Sequence, residues 1–71
     1  MKPVIIVSTF PNKAVTKNVA NQLVKKKLAA CVNITKIDSV YSWKGKIQND
    51  SEYLAFFKTT IKNKKNLKNE I

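Results

Sequence analysis

Apolar residues along this chain come in runs whose period changes. Val4-Ile5-Ile6-Val7-Ser8 is continuous and β-branched, which predicts a strand buried at the centre of a sheet. Thr9-Phe10-Pro11-Asn12 breaks it, because proline fixes its own φ and biases the residue before it towards extended backbone. From Asn12 to Lys27 the repeat lengthens. Val15, Val19 and Leu23 recur every four residues, Ala20 and Val24 lie beside them, and Lys13, Lys17, Asn18, Asn21 and Lys25 take the other side. That stripe predicts an amphipathic helix. Asn12 is placed to cap its start, and Lys25-Lys26-Lys27 marks its end, where the helix dipole favours cations.

A second strand is predicted from Ala30 to Thr35. It resumes after a bulge near Lys36, because Ile37, Ser39, Tyr41 and Trp43 alternate with Asp38, Val40 and Ser42. Lys44-Gly45 supplies a tight turn, since glycine is free to take positive φ. The next strand runs from Ile47 to Thr60, with an interruption expected at Asn49-Asp50. Within it Tyr53, Ala55 and Phe57 face one way, and Leu54 and Phe56 the other. Both faces are apolar, so both need cover: a helix layer supplies one, and a partner must supply the other. Asn63 is placed to cap a second helix whose apolar positions, Ile61, Leu67 and Ile71, are sparse. No stop signal follows it, which predicts a sequence that ends mid-element.

The predicted order is β-α-β-β-α. A crossover helix places the first two long strands parallel, as neighbours or near neighbours, and the hairpin returns antiparallel. One further strand would complete a split β-α-β, ferredoxin-like sandwich. The fold class is therefore α+β, in a single domain over residues 1–71 with a long hairpin between its second and third strands.

Composition turns this domain towards self-association. A chain of 71 residues buries only roughly 60% of its unfolded surface, and such domains usually rely on disulfides, a metal or partner subunits. The one cysteine forms no internal disulfide, and the lack of histidine beside only four carboxylates argues against a one-chain zinc site. Oligomerisation is left as the expected source of stability. A lone cysteine without a signal peptide favours a reducing cytoplasm, and Val4–Val7 is too short to span a membrane.

The net charge of +10 invites a basic nucleic-acid or anionic-surface module as the alternative reading. All fourteen basic residues, however, are lysine, whereas arginine is the planar reader of guanine and phosphate. Biased base composition accounts for a lysine-, asparagine- and isoleucine-rich chain, so nucleic acid is not the partner expected from composition.

Little catalytic chemistry is visible. General acid–base work usually uses histidine or paired carboxylates. Asp50 and Glu52 share a strand face, but no nucleophile accompanies them. Cys31, at the start of a strand, is the one thiol, suited to Cu(I) or simply to apolar packing. Tyr41 and Trp43 share a face beside the turn, as a ligand wall or, better, as a subunit contact. Tyr53-Leu54-Ala55-Phe56-Phe57 lacks the basic residue and glycine that precede the stacking aromatics of an RNA-recognition module; Ser51-Glu52 stands there instead.

Taken together, Ser8-Thr9-Phe10-Pro11, Leu28-Ala29-Ala30-Cys31-Val32-Asn33-Ile34, Ser39-Val40-Tyr41-Ser42-Trp43-Lys44-Gly45-Lys46-Ile47 and Phe57-Lys58-Thr59 resemble the divalent-cation tolerance family, CutA. The resemblance implies a non-enzymatic homotrimer with a role in tolerance of copper or another divalent metal. It implies hairpin strands that reach neighbouring subunits, with Tyr41, Trp43, Lys46 and Tyr53 as expected contacts and Cys31 as the expected metal ligand. It also implies a C-terminally truncated member, lacking a His-Pro-Tyr-Glu-type segment, a final strand and a further helix. The family's similarity to trimeric PII-type signalling proteins makes a small-ligand sensor a further alternative.

Overall fold

The apolar runs form one three-stranded antiparallel sheet with two helices against it, in a computed structural model that describes residues 2–71. In chain order the elements are β1 (Pro3–Phe10), α1 (Lys13–Lys25), β2 (Cys31–Trp43), β3 (Lys46–Thr60) and α2 (Ile61–Glu70). The strand order is β1-β3-β2. Both outer strands run antiparallel to β3, so β1 and β2 are parallel near neighbours, as the crossover argument requires.

The central strand is β3, not β1. Ile5 and Val7 are 57% and 53% exposed, so the β-branched run of β1 is an edge strand covered on one face only. Its continuous apolar pattern predicts a central place because a strand needing two covers reads the same whether the second cover lies within the chain or outside it. The register sets the faces. Ile6 and Phe10 of β1, Val32 and Ile34 of β2, and Ala55, Phe57 and Thr59 of β3 point to the helices. Phe10, Leu23, Ala29, Ala55, Phe57 and Leu67 form the core there. Phe10 and Phe57 meet edge to face with ring centroids 6.4 Å apart, a favoured aromatic geometry.

The helix α1 begins where Asn12 places it: the Asn12 side chain accepts from the Val15 N–H at 2.8 Å. It ends in the lysine run, with Lys26 as C-cap and Lys27 at φ 61. Its buried face differs from the valine stripe. Thr16, Ala20 and Leu23 are buried, whereas Val15 and Val24 are exposed. Thr16 is admitted because its hydroxyl donates to the Asn12 carbonyl at 2.7 Å, which removes the cost of burying it. The other buried threonine, Thr59, donates to the Leu28 carbonyl at 2.6 Å. For α2 the cap is Thr60 rather than Asn63; the Thr60 hydroxyl accepts from the Asn63 N–H at 3.3 Å, placing Asn63 inside the first turn.

Two further expectations are corrected. The β2–β3 ladder runs without a break from Cys31 opposite Lys58 to Trp43 opposite Lys46, so there is no bulge at Lys36 and no interruption at Asn49-Asp50. Lys36 stands on the helix-side face where the helical cover ends and is exposed. A polar residue there needs no register shift. Asn49 and Asp50 pair with Val40 and Ser39 in a part of the ladder where no burial selects against turn-forming residues. The hairpin closes on Lys44 at φ 51 and Gly45 at φ 76, the two left-handed residues of a type I′ turn. A Cβ at Gly45 would meet no atom within 4 Å, so glycine is favoured there by conformation rather than by space.

Candidate functional site

The hairpin runs well past the helices. β2 and β3 are 13 and 15 residues long, and the molecule measures 43 × 22 × 17 Å. From Asp38 to Ser51 no residue is buried. This arm carries apolar side chains on both faces. Tyr41 and Trp43 lie on the face away from the helices, 43% and 61% exposed, while Val40 and Ile47 lie on the other, 67% and 68% exposed. At the tip the Lys44 ammonium stands 5.9 Å from the centre of the Trp43 ring, within cation–π reach.

Hydroxyl–carboxylate pairs brace the arm across its strands. Ser39 donates to Glu52 at 2.5 Å, Ser51 donates to Asp38 at 3.1 Å, and Tyr41 donates to Asp50. The bond to Asp50 stabilises the protonated phenol, so the Tyr41 pKa is raised above the ordinary tyrosine value; desolvation and the charges of Asp50 and Glu52 push the same way. The fourth carboxylate, Glu70, is paired with Lys26 at 3.1 Å. Every carboxylate of the chain thus has a partner.

The arm's outer face continues into the uncovered face of the sheet. There Ile5 and Val7 of β1 stand beside half-buried Leu54 and Phe56 of β3 and half-buried Ile37 of β2. This is the second apolar face of the third strand anticipated from its sequence, and nothing in the chain lies over it among the described residues.

The structure brings three of the four expected contact residues together. Tyr41, Trp43 and Lys46 share the outer face of the arm. Tyr53 points the opposite way, half-buried at the arm's base between Phe10 and Lys36. Cys31 is exposed at the first residue of β2, on the open face, with its sulfur 3.8 Å from the Asn33 side-chain oxygen. Val40, Ile47, Ile5 and Val7 were not among the residues expected at the site. Their sequence signal is faint: Val40 and Ile47 are isolated apolar residues in a polar stretch, and Ile5 and Val7 look like core.

The family model for the CutA1 divalent ion tolerance protein matches residues 4–71. The chain belongs to the CutA1 family. It is 41% identical over 68 residues to the divalent-cation tolerance protein CutA of Thermotoga maritima, covering 96% of this chain and 67% of that protein. It is 51% identical over 57 residues to the chloroplastic protein CutA of Arabidopsis thaliana, covering 79% of this chain and 31% of that one. Among solved structures, CutA1 from Ehrlichia chaffeensis superposes with a TM-score of 0.92 at 32% identity, over 99% of this chain and 66% of that one. CutA1 from Oryza sativa gives a TM-score of 0.88 at 40% identity, covering 96% and 63%. The chain therefore spans about a third of the Arabidopsis relative and about two thirds of the bacterial ones.

These matches establish the ferredoxin-like α+β fold. CutA1 is a divalent-cation tolerance family, not a known class of enzyme. The chain's own donors do not compose a cation site. Among the described residues no three His, Cys, Asp or Glu side chains cluster, the carboxylates are taken by hydroxyls or Lys26, and Cys31 stands apart from them. A divalent ion or Cu(I) held by one chain would require at least one more strong donor beside that thiol.

Proposed function

We propose that this chain is a non-enzymatic subunit acting in divalent-cation tolerance, copper included, and that it works as a cytoplasmic homotrimer. The observation that carries the reading is the two-sided arm together with the open apolar face beside it. Tyr41, Trp43, Val40 and Ile47 project from the arm, and Ile5, Val7, Leu54 and Phe56 continue the surface onto the body. An apolar surface of that kind marks an interaction site, and a small domain without disulfides gains stability by covering it with copies of itself. The exposed free thiol of Cys31 suits a reducing compartment.

The mass in solution tests the assembly. At micromolar concentration the expected result is a particle of three times the 8.1 kDa chain mass; a soluble monomer would contradict the reading. On this reading cation contact is assigned to the exposed thiol of Cys31 in the assembled protein, with the further donors to come from neighbouring copies. Titration with Cu(I) of the natural chain and of Cys31→Ala is expected to show weaker binding by the variant. Loss of an outer-shell partner of a metal ligand already costs roughly 10–100-fold in affinity, and removal of the ligand should cost no less. Equal, weak binding by both proteins would remove Cys31 from the account.

A further inference from the structure

The positive charge of this chain is segregated. Over residues 36–53, the arm and its base, Lys36, Lys44 and Lys46 are balanced by Asp38, Asp50 and Glu52. The rest of the chain sets eleven lysines against Glu70 alone, so the whole net charge of +10 lies outside the arm. Nine of those eleven lysines lie on α1, on α2 or in the turn after α1. A compositional bias towards lysine explains how many there are. It does not explain why all but one of the carboxylates are gathered in the hairpin.

The helices present this charge as a single layer on the side of the sheet opposite the open apolar face. Lys13, Lys17 and Lys25 recur along the exposed side of α1, and Lys62, Lys65 and Lys68 along that of α2; all six are exposed. The Lys26–Glu70 pair ties the two helix ends together. Exposed Asn18 and Asn21 on α1 and Asn66 and Asn69 on α2 lie among the lysines and supply neutral hydrogen-bonding groups.

We propose that this helical layer is a docking face for the phosphodiester backbone of nucleic acid, read without regard to sequence. Lysine binds phosphate as a point charge, and most protein–DNA hydrogen bonds go to phosphate and sugar from lysine, asparagine and similar side chains. The lack of arginine, which argues against reading of base edges, leaves backbone contact untouched. An anionic membrane fits the face less well. Helices that lie in a lipid interface set Trp, Phe or Leu among the headgroups. Neither helix carries an aromatic residue, and the one leucine of α2, Leu67, is fully buried in the core. Docking through the helices leaves the arm and the open face free for assembly, so the inference does not depend on the trimer.

The test is binding of the whole chain to a fluorescently labelled 20-base-pair duplex, followed by anisotropy against salt. Four backbone contacts predict roughly a hundredfold loss of affinity between 50 and 200 mM salt, with duplexes of unrelated sequence binding alike. Lys62→Gln/Lys65→Gln/Lys68→Gln should lower the salt slope by roughly two to three, about one per lost contact. Lys36→Gln/Lys44→Gln/Lys46→Gln removes the same charge from the arm and should leave the slope unchanged. Glutamine matches lysine in helix propensity, and Lys13→Gln/Lys17→Gln provides an independent variant on α1. No binding at 50 mM salt, or equal losses from helix and arm variants, would overturn the proposal. So would retention on phosphatidylserine vesicles without retention on the duplex, which would assign the face to membranes.

Discussion

Phe57→Ala is expected to take away a large share of the stability of the folded chain. Phe57 is fully buried on the helix-side face of the central strand. Ile6 and Val32 are its neighbours across the two ladders, and Phe10 meets its ring edge to face. Truncating a buried phenylalanine costs about 3–5 kcal/mol, through lost transfer energy and the cavity left behind. A domain of this size has about 4–11 kcal/mol in total, at roughly 0.05–0.15 kcal/mol per residue. Urea denaturation measures the loss as a fall in the midpoint at constant slope. Phe56→Ala is the internal control: the same ring, one residue away, half-buried on the open face. It should cost less in the isolated subunit. Equal effects of the two changes would mean that the core does not lie on the helix side.

Trp43→Ala should weaken assembly more than it disturbs the fold of one subunit. The ring is 61% exposed at the tip of the arm, where a substitution in an isolated chain changes stability by within about 0.5 kcal/mol. A tryptophan buried at the centre of an interface is a different matter, since its truncation commonly costs about 2 kcal/mol or more, a shift of roughly thirtyfold in the assembly constant. Sedimentation across a concentration series, with circular dichroism on the same samples, separates the two. Unchanged assembly would show that Trp43 touches no neighbour. A parallel loss of secondary structure would show that the ring, with the Lys44 ammonium over it, supports the hairpin itself.

What a neighbour would meet on the arm is also set by its polar pairs. Ser39 with Glu52, Ser51 with Asp38 and Tyr41 with Asp50 satisfy the carboxylates within the hairpin. An arm whose carboxylates already accept hydrogen bonds can be covered by another chain with less desolvation cost than one bearing free carboxylates. Those pairs are side-chain contacts between strands 9 to 13 residues apart in sequence, and they follow from the unbroken register.

Local chemistry explains which elements were legible from sequence. Asn12 as a cap, the lysine run as a helix end, Lys44-Gly45 as the turn and the two-faced apolar pattern of Tyr53 to Phe57 depend on residues a few positions apart. Backbone preference and periodicity decide them before any tertiary contact forms. The errors over faces and register have the opposite cause. Whether Ile5 and Val7 are core or surface, whether Thr16 or Val15 faces inward, and whether Lys36 forces a bulge depend on where the helix layer ends over the sheet. No short window of sequence contains that information.

The same division holds for function. The motifs around Cys31, Trp43 and Gly45 were enough, from sequence, to point to the CutA family, and the alternation of Tyr53 to Phe57 was enough to show a strand with two apolar faces, of which the helices cover one. Only the tertiary structure decided that β3 is central, that Tyr53 turns away from Tyr41 and Trp43, that Cys31 stands without a second strong donor, and that the lysines of both helices lie in one layer opposite the open face. Each of these turns on strand register and on which face the helices cover, and those are set by packing between segments distant in sequence.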